Sequence, residues 1–531
     1  MDKQTIRQQI EAGNISVGIE LGSTRIKTVA IDSTTRTIAT GHYEWEQQLT
    51  DGYWSYDLDE VWQGIRESFR LMTREIKATY EVKLTHMASL GISGMMHGYL
   101  VFDAQGQLLV PFRTWRNNTA HEAGKQLREA FQFNIPERWS IAHYYQSALK
   151  EESHVKDVAY MTTLSGYVHW QLTGEKVLGI GDASGMFPID PKTATYRKDL
   201  CEQFDTLMAT NGYDQDIQRI LPTVHVAGEQ VGTLTADGAR LLDPTGTLTS
   251  GCPMCAPEGD AGTGMVATNS IAPKTGNVSA GTSIFAMIVL EQPLQAVYPE
   301  VDIVTTPAGD EVAMIHANNG SSDLNHWVHL FEEVFQLMDM SYDKTTLWTR
   351  LFESALDGDD DLGKLLSYGY ISGEYMTDVP RGFPLFIRQQ DSRFNIQNFM
   401  KNHIFTMLST LKIGVDRLKT REQLQIDRMT GHGGVFATKQ VVQRYLAAAL
   451  ESRVTVMENA NEGGAWGMAM LARYMLENNG TLAAFLEHVG FRDVETETMA
   501  PQARDIESFN TYVQRFEAGL AIERLLNDTL D

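Results

Sequence analysis

The run Val17-Gly18-Ile19-Glu20-Leu21-Gly22-Ser23-Thr24-Arg25-Ile26-Lys27-Thr28-Val29-Ala30-Ile31-Asp32 constrains this chain more than any other. Two stretches of strand-forming residues flank Gly22-Ser23-Thr24, a short turn of glycine and hydroxyl side chains, so the run reads as a β-hairpin. Small residues at such a turn let backbone N–H groups approach an anion closely. Glu20 stands just before the turn and Lys27 just after it. A carboxylate can hold Mg²⁺ through water, and a lysine can meet a phosphate. A similar hairpin returns as Thr275-Gly276-Asn277-Val278-Ser279-Ala280-Gly281-Thr282-Ser283-Ile284-Phe285. Two such turns facing each other would clamp a polyphosphate. Either one taken alone is equally an ordinary hairpin.

Charge narrows the partners. The 531 residues carry 68 acidic and 44 basic side chains, a net charge of −24, which repels nucleic acid and anionic membranes. It repels ATP as well, so a phosphate site here must rest on local dipoles, a few cations and Mg²⁺. Three cysteines, Cys201, Cys252 and Cys255, fit a reducing compartment with no disulfide framework. The amino end lacks the apolar stretch of a signal peptide, and no run is long and apolar enough to span a bilayer. A cytoplasmic protein is the expectation.

Residues 1–14 read as a short polar helix stopped by Gly13-Asn14. Asp57 is a good N-cap for a helix whose Val61, Trp62, Ile65, Phe69 and Met72 share one face. Ala88–Ser93 reads as a buried strand that runs into the loop Gly94-Met95-Met96-His97-Gly98, and Tyr99–Asp103 as the next strand. Strand, helix, strand order predicts an α/β domain. Residues 111–190, richer in aromatic and polar residues, read as an elaboration that shapes a pocket. Residues 396–418 are a long helix. Thr430-Gly431-His432-Gly433-Gly434 is a glycine turn before a helix over 437–450, and the segment after about 478 is a helical, acidic tail. No low-complexity linker separates the halves, which predicts two lobes about a cleft.

Gly259-Asp260-Ala261 places one carboxylate among small residues just before the second hairpin. An aspartate so placed can take the proton of a hydroxyl as its oxygen attacks phosphorus. The same turn also serves as a plain loop cap. Three other patterns are set aside. Gly358–Leu365 nearly fits a phosphate-binding loop but lacks the closing hydroxyl and carries three aspartates. Asp357, Asp359 and Asp361 imitate a calcium loop, but Leu362 and Tyr368 stand where glycine and glutamate are needed. Cys252-Pro253-Met254-Cys255 has no second pair to complete a zinc site.

The order of these motifs resembles the FGGY family of carbohydrate kinases, within the actin-like ATPase superfamily, across residues 16–475. The carriers are the two hairpins, Gly94–Gly98, Gly181-Asp182-Ala183-Ser184-Gly185, Gly259-Asp260-Ala261, Gly431-His432-Gly433-Gly434 and Asn461-Glu462-Gly463-Gly464-Ala465-Trp466-Gly467. Pro111–Asn118 and Arg138–His143 look like L-ribulokinases, and Met96-His97-Gly98 with Asp182–Gly185 also looks like xylulokinases. The resemblance implies a two-lobed α/β, ribonuclease H-like fold with a cleft. It implies a polar helix over 1–14, a sugar-binding lobe over 15–268, an ATP-binding lobe over 269–478 and a tail over 479–531. It implies ATP and Mg²⁺ as partners, a ketopentose acceptor with L-ribulose before D-xylulose, and a homodimer. A switch ATPase on the same frame is the rival class. Position by position it implies Asp260 as catalytic base, also touching substrate, and Glu20 near the metal, where the family usually has aspartate. Ser23, Thr24 and Lys27 match the first phosphate clamp, Gly281 and Thr282 the second, and Gly433 and Gly434 the nucleotide turn. Met96, His97, Trp115 and Asp182 fall in segments lining the sugar pocket.

Overall fold

The computed structural model describes residues 2–457, 463–477 and 480–530. Asn461 and Glu462, from the last quoted motif, lie outside the described residues. Contacts divide the chain into two units. The first comprises Met1–Ile271, Asp302–Val312 and Asn461–Asp493, and the second Ala272–Val301, Ala313–Ala460 and Val494–Asp531. The chain therefore returns to its first unit twice.

The first unit is built on a mixed sheet. Its strands are β1 (Ser16–Leu21), β2 (Arg25–Ile31), β3 (Thr37–Glu44), β4 (Ser89–Gly94), β5 (Gln230–Thr233), β6 (Pro253–Cys255) and β7 (Glu258–Gly259). They run in the order β5-β6-β4-β1-β2-β3, with β7 also paired to β4. β1 and β2 form the expected antiparallel hairpin, which sets Glu20 directly opposite Lys27. β4 lies parallel to β1, and β6 and β7 lie parallel to β4. β1 is buried along nearly its whole length because helices cover both faces of the sheet. The helix Leu58–Tyr80 starts where Asp57 accepts the N–H of Asp59 at 2.7 Å, and ends at Glu81 in the left-handed region, φ 56°. It buries Val61, Trp62, Ile65, Phe69, Met72 and Ile76, each side chain contributing about 1.5–3 kcal/mol. The helix Gly463–Glu477 lies against β1 so closely that a Cβ at Gly18 would stand 2.2 Å from the carbonyl oxygen of Ala465. Only a residue without a side chain fits there.

The second unit repeats that plan. Its strands include β8 (Thr275–Ala280), β9 (Ile284–Val289), β10 (Glu311–Ala317, in this unit from Ala313 on), β11 (Arg428–His432), β12 (Arg453–Met457) and β13 (Thr496–Met499), which run β10-β9-β8-β11-β12-β13. As in the first unit, an antiparallel hairpin, β8 and β9, is followed by two parallel neighbours, β11 and β12, and an antiparallel edge. The long helix expected over 396–418 spans Ile396–Glu422 and is buried along most of its length. The stretch after residue 480, read from sequence as helix, also contains a strand. Thr496–Met499 pairs with β12 before the helix Ala503–Thr529 begins. That helix is docked by Asp505, which is buried and takes two hydrogen bonds from Arg444 at 2.6 and 2.9 Å.

Two of the patterns set aside find plain structural uses. Asp359 and Asp361 pair with Arg393, and Asp360 with Arg504. Cys252 and Cys255 are free, buried thiols at β6.

Candidate active site

The carboxylates nominated from sequence gather at one end of the first sheet, where β1, β4 and β7 stop side by side. β1 delivers Glu20, β4 runs into Gly94–Gly98, and β7 ends at Gly259, one residue before Asp260. Asp260 is the first residue of the helix Asp260–Ala267. A carboxylate in a first turn sits at the positive end of the helix dipole. Its Oδ1 accepts the backbone N–H of Met96 at 3.3 Å, and the side chain keeps part of its surface open. Desolvation pushes Asp260 up to about 6, against backbone hydrogen bonds that pull it down. The group is therefore a carboxylate at neutral pH and basic enough to accept a proton.

Two further acids feel the charge of Asp260. Asp182 is fully buried in the short helix Ile180–Ala183. Its Oδ2 accepts the hydroxyls of Thr163 at 2.6 Å and Ser165 at 2.5 Å, while its Oδ1 is buried with no partner. Burial pushes Asp182 up to about 7, and the Asp260 charge adds to the shift. Glu20 is likewise raised to about 7, first by desolvation and then by Asp260. Its Oε2 accepts the N–H of Ala465 at 3.2 Å, so this carboxylate also caps the helix Gly463–Glu477. A Cβ at Gly464 would fall 2.3 Å from Glu20 Oε1. Among the described residues no three His, Cys, Asp or Glu side chains gather to hold a metal ion. One half-buried carboxylate beside another fits a magnesium ion that keeps most of its water and takes phosphate oxygens as its other ligands.

Beside these acids lie Met96 and His97. His97 adopts φ 68°, a left-handed conformation uncommon outside glycine and asparagine, and its Nδ1 is 2.9 Å from the carbonyl oxygen of Gly185. Desolvation, with help from the Arg138 charge, pushes His97 down to about 3, so the ring is neutral. A Cβ at Gly259 would meet Met96 Cγ at 2.3 Å, and one at Gly185 would meet the His97 ring at 2.6 Å. The loop Gly94–Gly98, the Asp182 segment and the Asp260 turn thus touch directly.

The structure separates the two tryptophans of this region. Trp115 is 38% exposed on a turn. Trp139 is fully buried and stacked on His97 at 6.2 Å, and its indole N–H has no partner. The sequence placed Trp139 only within the run Arg138–His143 and did not nominate it for the pocket, nor Thr163 and Ser165, the two hydroxyls that hold Asp182. An aromatic and two hydroxyl residues carry no local mark of what they will face.

The remaining nominated residues divide between the units. In the first, Gly22, Ser23 and Thr24 form the tight turn between β1 and β2, with the Ser23 carbonyl held by the Tyr56 hydroxyl and that of Gly22 by the Trp45 indole N–H. In the second, Gly281 and Thr282 form the exposed turn between β8 and β9. The Gly281 carbonyl accepts the N–H and the hydroxyl of Ser321 at 2.8 and 3.0 Å. Gly433 and Gly434 follow β11. Gly433 has φ 111°, and a Cβ there would stand 2.2 Å from the carbonyl oxygen of Ala280. Two glycine-rich exposed turns thus lie against each other inside the second unit.

Comparison with known proteins gives these features a family. Residues 15–264 match the FGGY family of carbohydrate kinases, N-terminal domain, and residues 276–476 match its C-terminal domain. The glycerol kinase of Aquifex aeolicus is 23% identical, aligned over 43% of this chain and 51% of that protein. The chain therefore matches about half the length of that relative. The xylulose kinase of Haemophilus influenzae is 20% identical over 86% of this chain and 90% of its own length. The crystal structure of xylulose kinase from Rhodospirillum rubrum superposes with a TM-score of 0.77 at 16% identity, covering 96% of this chain and 98% of that one. The two units are thus the α/β halves of a known kinase fold, and the chain belongs to the FGGY family of carbohydrate kinases.

Proposed function

We propose that this protein transfers the γ-phosphoryl group of ATP to a terminal hydroxyl of a ketopentose. The observation that carries this reading is Asp260, a half-buried carboxylate at a helix N-terminus, raised to about 6 and flanked by the unpartnered Oδ1 of Asp182. In the proposed step the sugar hydroxyl donates its proton to Asp260 as its oxygen bonds to the γ-phosphorus, and the bond to the leaving ADP oxygen breaks. Asp182 Oδ1 accepts a second sugar hydroxyl, and the Trp139 N–H donates to a sugar oxygen. These are two buried polar atoms that the protein itself leaves unpaired. Within the first unit Ser23, Thr24 and Lys27 supply phosphate contacts, and within the second unit Gly281, Thr282, Gly433 and Gly434 supply nucleotide contacts. Magnesium, when bound beside Glu20, offsets phosphate charge.

The acceptor is a neutral sugar. The pocket segments present Asp182 and Asp260, and Arg138 beside them is already paired with Asp302. An added sugar carboxylate would meet two acids. Among neutral ketopentoses, the runs 111–118 and 138–143 favour L-ribulose, while relatives named xylulose kinases favour D-xylulose, which we take as the better supported of the two. A coupled ADP-release assay over D-xylulose, L-ribulose, glycerol and gluconate tests the reading. ADP release that depends on a ketopentose and not on gluconate is expected. Release of the same size without any sugar identifies a switch ATPase instead.

A further inference from the structure

A buried glutamate outside the nominated set joins the two acids of the site. Glu258 is the first residue of β7, paired alongside Ser93 of β4, and is 1% exposed. Among the described residues its side chain forms no ion pair. Instead Oε2 accepts the N–H of Asp182 at 3.0 Å and of Gly259 at 3.3 Å, and Oε1 accepts the N–H of Gly181 at 3.3 Å. The carboxylate lies beneath two residues that have no side chain. A Cβ at Gly179 would stand 2.2 Å from Oε1, and one at Gly181 would stand 2.5 Å from Oε2. The main chain of the Asp182 segment thus rests directly on Glu258. Two residues after Glu258 the same chain presents Asp260.

We infer that Glu258 is a positioning residue, which fixes the spacing between the sugar-holding Asp182 and the proton-accepting Asp260 by binding the backbone N–H groups of both segments through one carboxylate. The inference rests on the kinase reading above. Desolvation raises Glu258 to about 8, against the three N–H groups that favour its ionised form; ionised, it suits this task because both of its oxygens accept and neither donates. An amide of the same shape has one accepting oxygen. In either orientation its NH₂ group faces an N–H of the Gly181-Asp182 segment, so that segment must shift. Misplacement of a reacting group by about 1 Å costs on the order of 100-fold in rate.

The test compares wild-type protein with Glu258→Gln and Glu258→Asp, using Met254→Ala in neighbouring β6 as a control for lost packing. In Glu258→Gln, kcat is expected to fall at least tenfold and the KM for the ketopentose to rise at least tenfold, with the KM for ATP within twofold of wild type. Met254→Ala lowers thermal stability without that split. Equal movement of both KM values, or of neither, overturns the inference. Should Glu258→Gln fail to fold, the same split is required of Glu258→Asp, which keeps a carboxyl group but is one methylene shorter. Hydrogen exchange followed by mass spectrometry gives a readout free of catalysis. Peptides covering 179–186 and 258–267 are expected to exchange at least tenfold faster in Glu258→Gln, with 58–80 unchanged. Unchanged exchange in both peptides refutes the bridge. Absence of sugar-dependent turnover in wild-type protein, with the exchange difference present, instead refutes the kinase reading and leaves the bridge standing.

Discussion

Replacing Asp260 by asparagine is expected to cost activity and raise stability at once. The folded protein lifts this carboxyl from 3.8 to about 6, chiefly by desolvation. A shift of about two units corresponds to about 3 kcal/mol of strain in the ionised folded state. Because the side chain keeps part of its surface open to water, screening reduces that figure, and we take about 1.5 kcal/mol. The sign follows from linkage. Well below pH 3.8 the group is protonated in both folded and unfolded chains, and the penalty is absent. It grows as pH rises from 4 to 6 and is constant above. Asparagine carries no charge to desolvate, yet its Oδ1 can still accept the Met96 N–H. For a unit of roughly 300 residues, unfolding entropy near 0.6 kcal/mol per degree converts the gain into a rise of about 2–3 °C in Tm. Scanning calorimetry at pH 8 and at pH 4 reads this directly, with the full rise at the first and only a small part of it at the second. Turnover of the same variant is expected to fall by about 10²–10⁴. A variant that keeps near-normal turnover removes Asp260 as the base. One that unfolds no later than wild type at pH 8 shows that its charge is not held against a desolvation cost.

Other expectations follow from the same geometry. In wild-type protein, kcat/KM is expected to fall with decreasing pH through about 6 as Asp260 takes up its proton, and a pH–rate profile without that limb contradicts the assignment. Asp182→Asn offers an NH₂ group to hydroxyls that now donate to a carboxylate, so the ketopentose KM is expected to rise at least tenfold with ATP KM little changed. Gly433→Ala forces a side chain into φ 111° against the Ala280 carbonyl, and ATP binding measured by calorimetry is expected to weaken at least tenfold. Gly18→Ala sets a methyl 2.2 Å from the Ala465 carbonyl, a cost of about 3 kcal/mol or more that thermal unfolding would show as a lower Tm.

Much of the local structure was legible in the chain. The hairpin around Gly22-Ser23-Thr24, the helix begun by Asp57 and the long helix from Ile396 follow from turn residues, caps and periodicity, all of which act over a few residues. Asp260 stood out for the same reason, as a lone acid among small neighbours. The strand Thr496–Met499 was missed, because its short alternating run sits between helical stretches and gains its identity only by pairing with β12. The choice between Trp115 and Trp139 also lay beyond the sequence, since exposure is decided by what packs above a ring.

What the sequence determined by itself was the set of elements and the short glycine turns, where backbone preference and hydrogen bonding are settled among neighbours. What only the tertiary structure decided was which charges meet. Glu20, Asp182 and the Glu258–Asp260 turn are distant in the chain, and strand register and helix packing bring them to one sheet end. The helix that Glu20 caps begins at Gly463, after most of the second unit has been traversed. Desolvation and mutual repulsion among acids depend on distances in space, so the raised proton affinity that makes Asp260 fit for its proposed task exists only once the fold has closed around it.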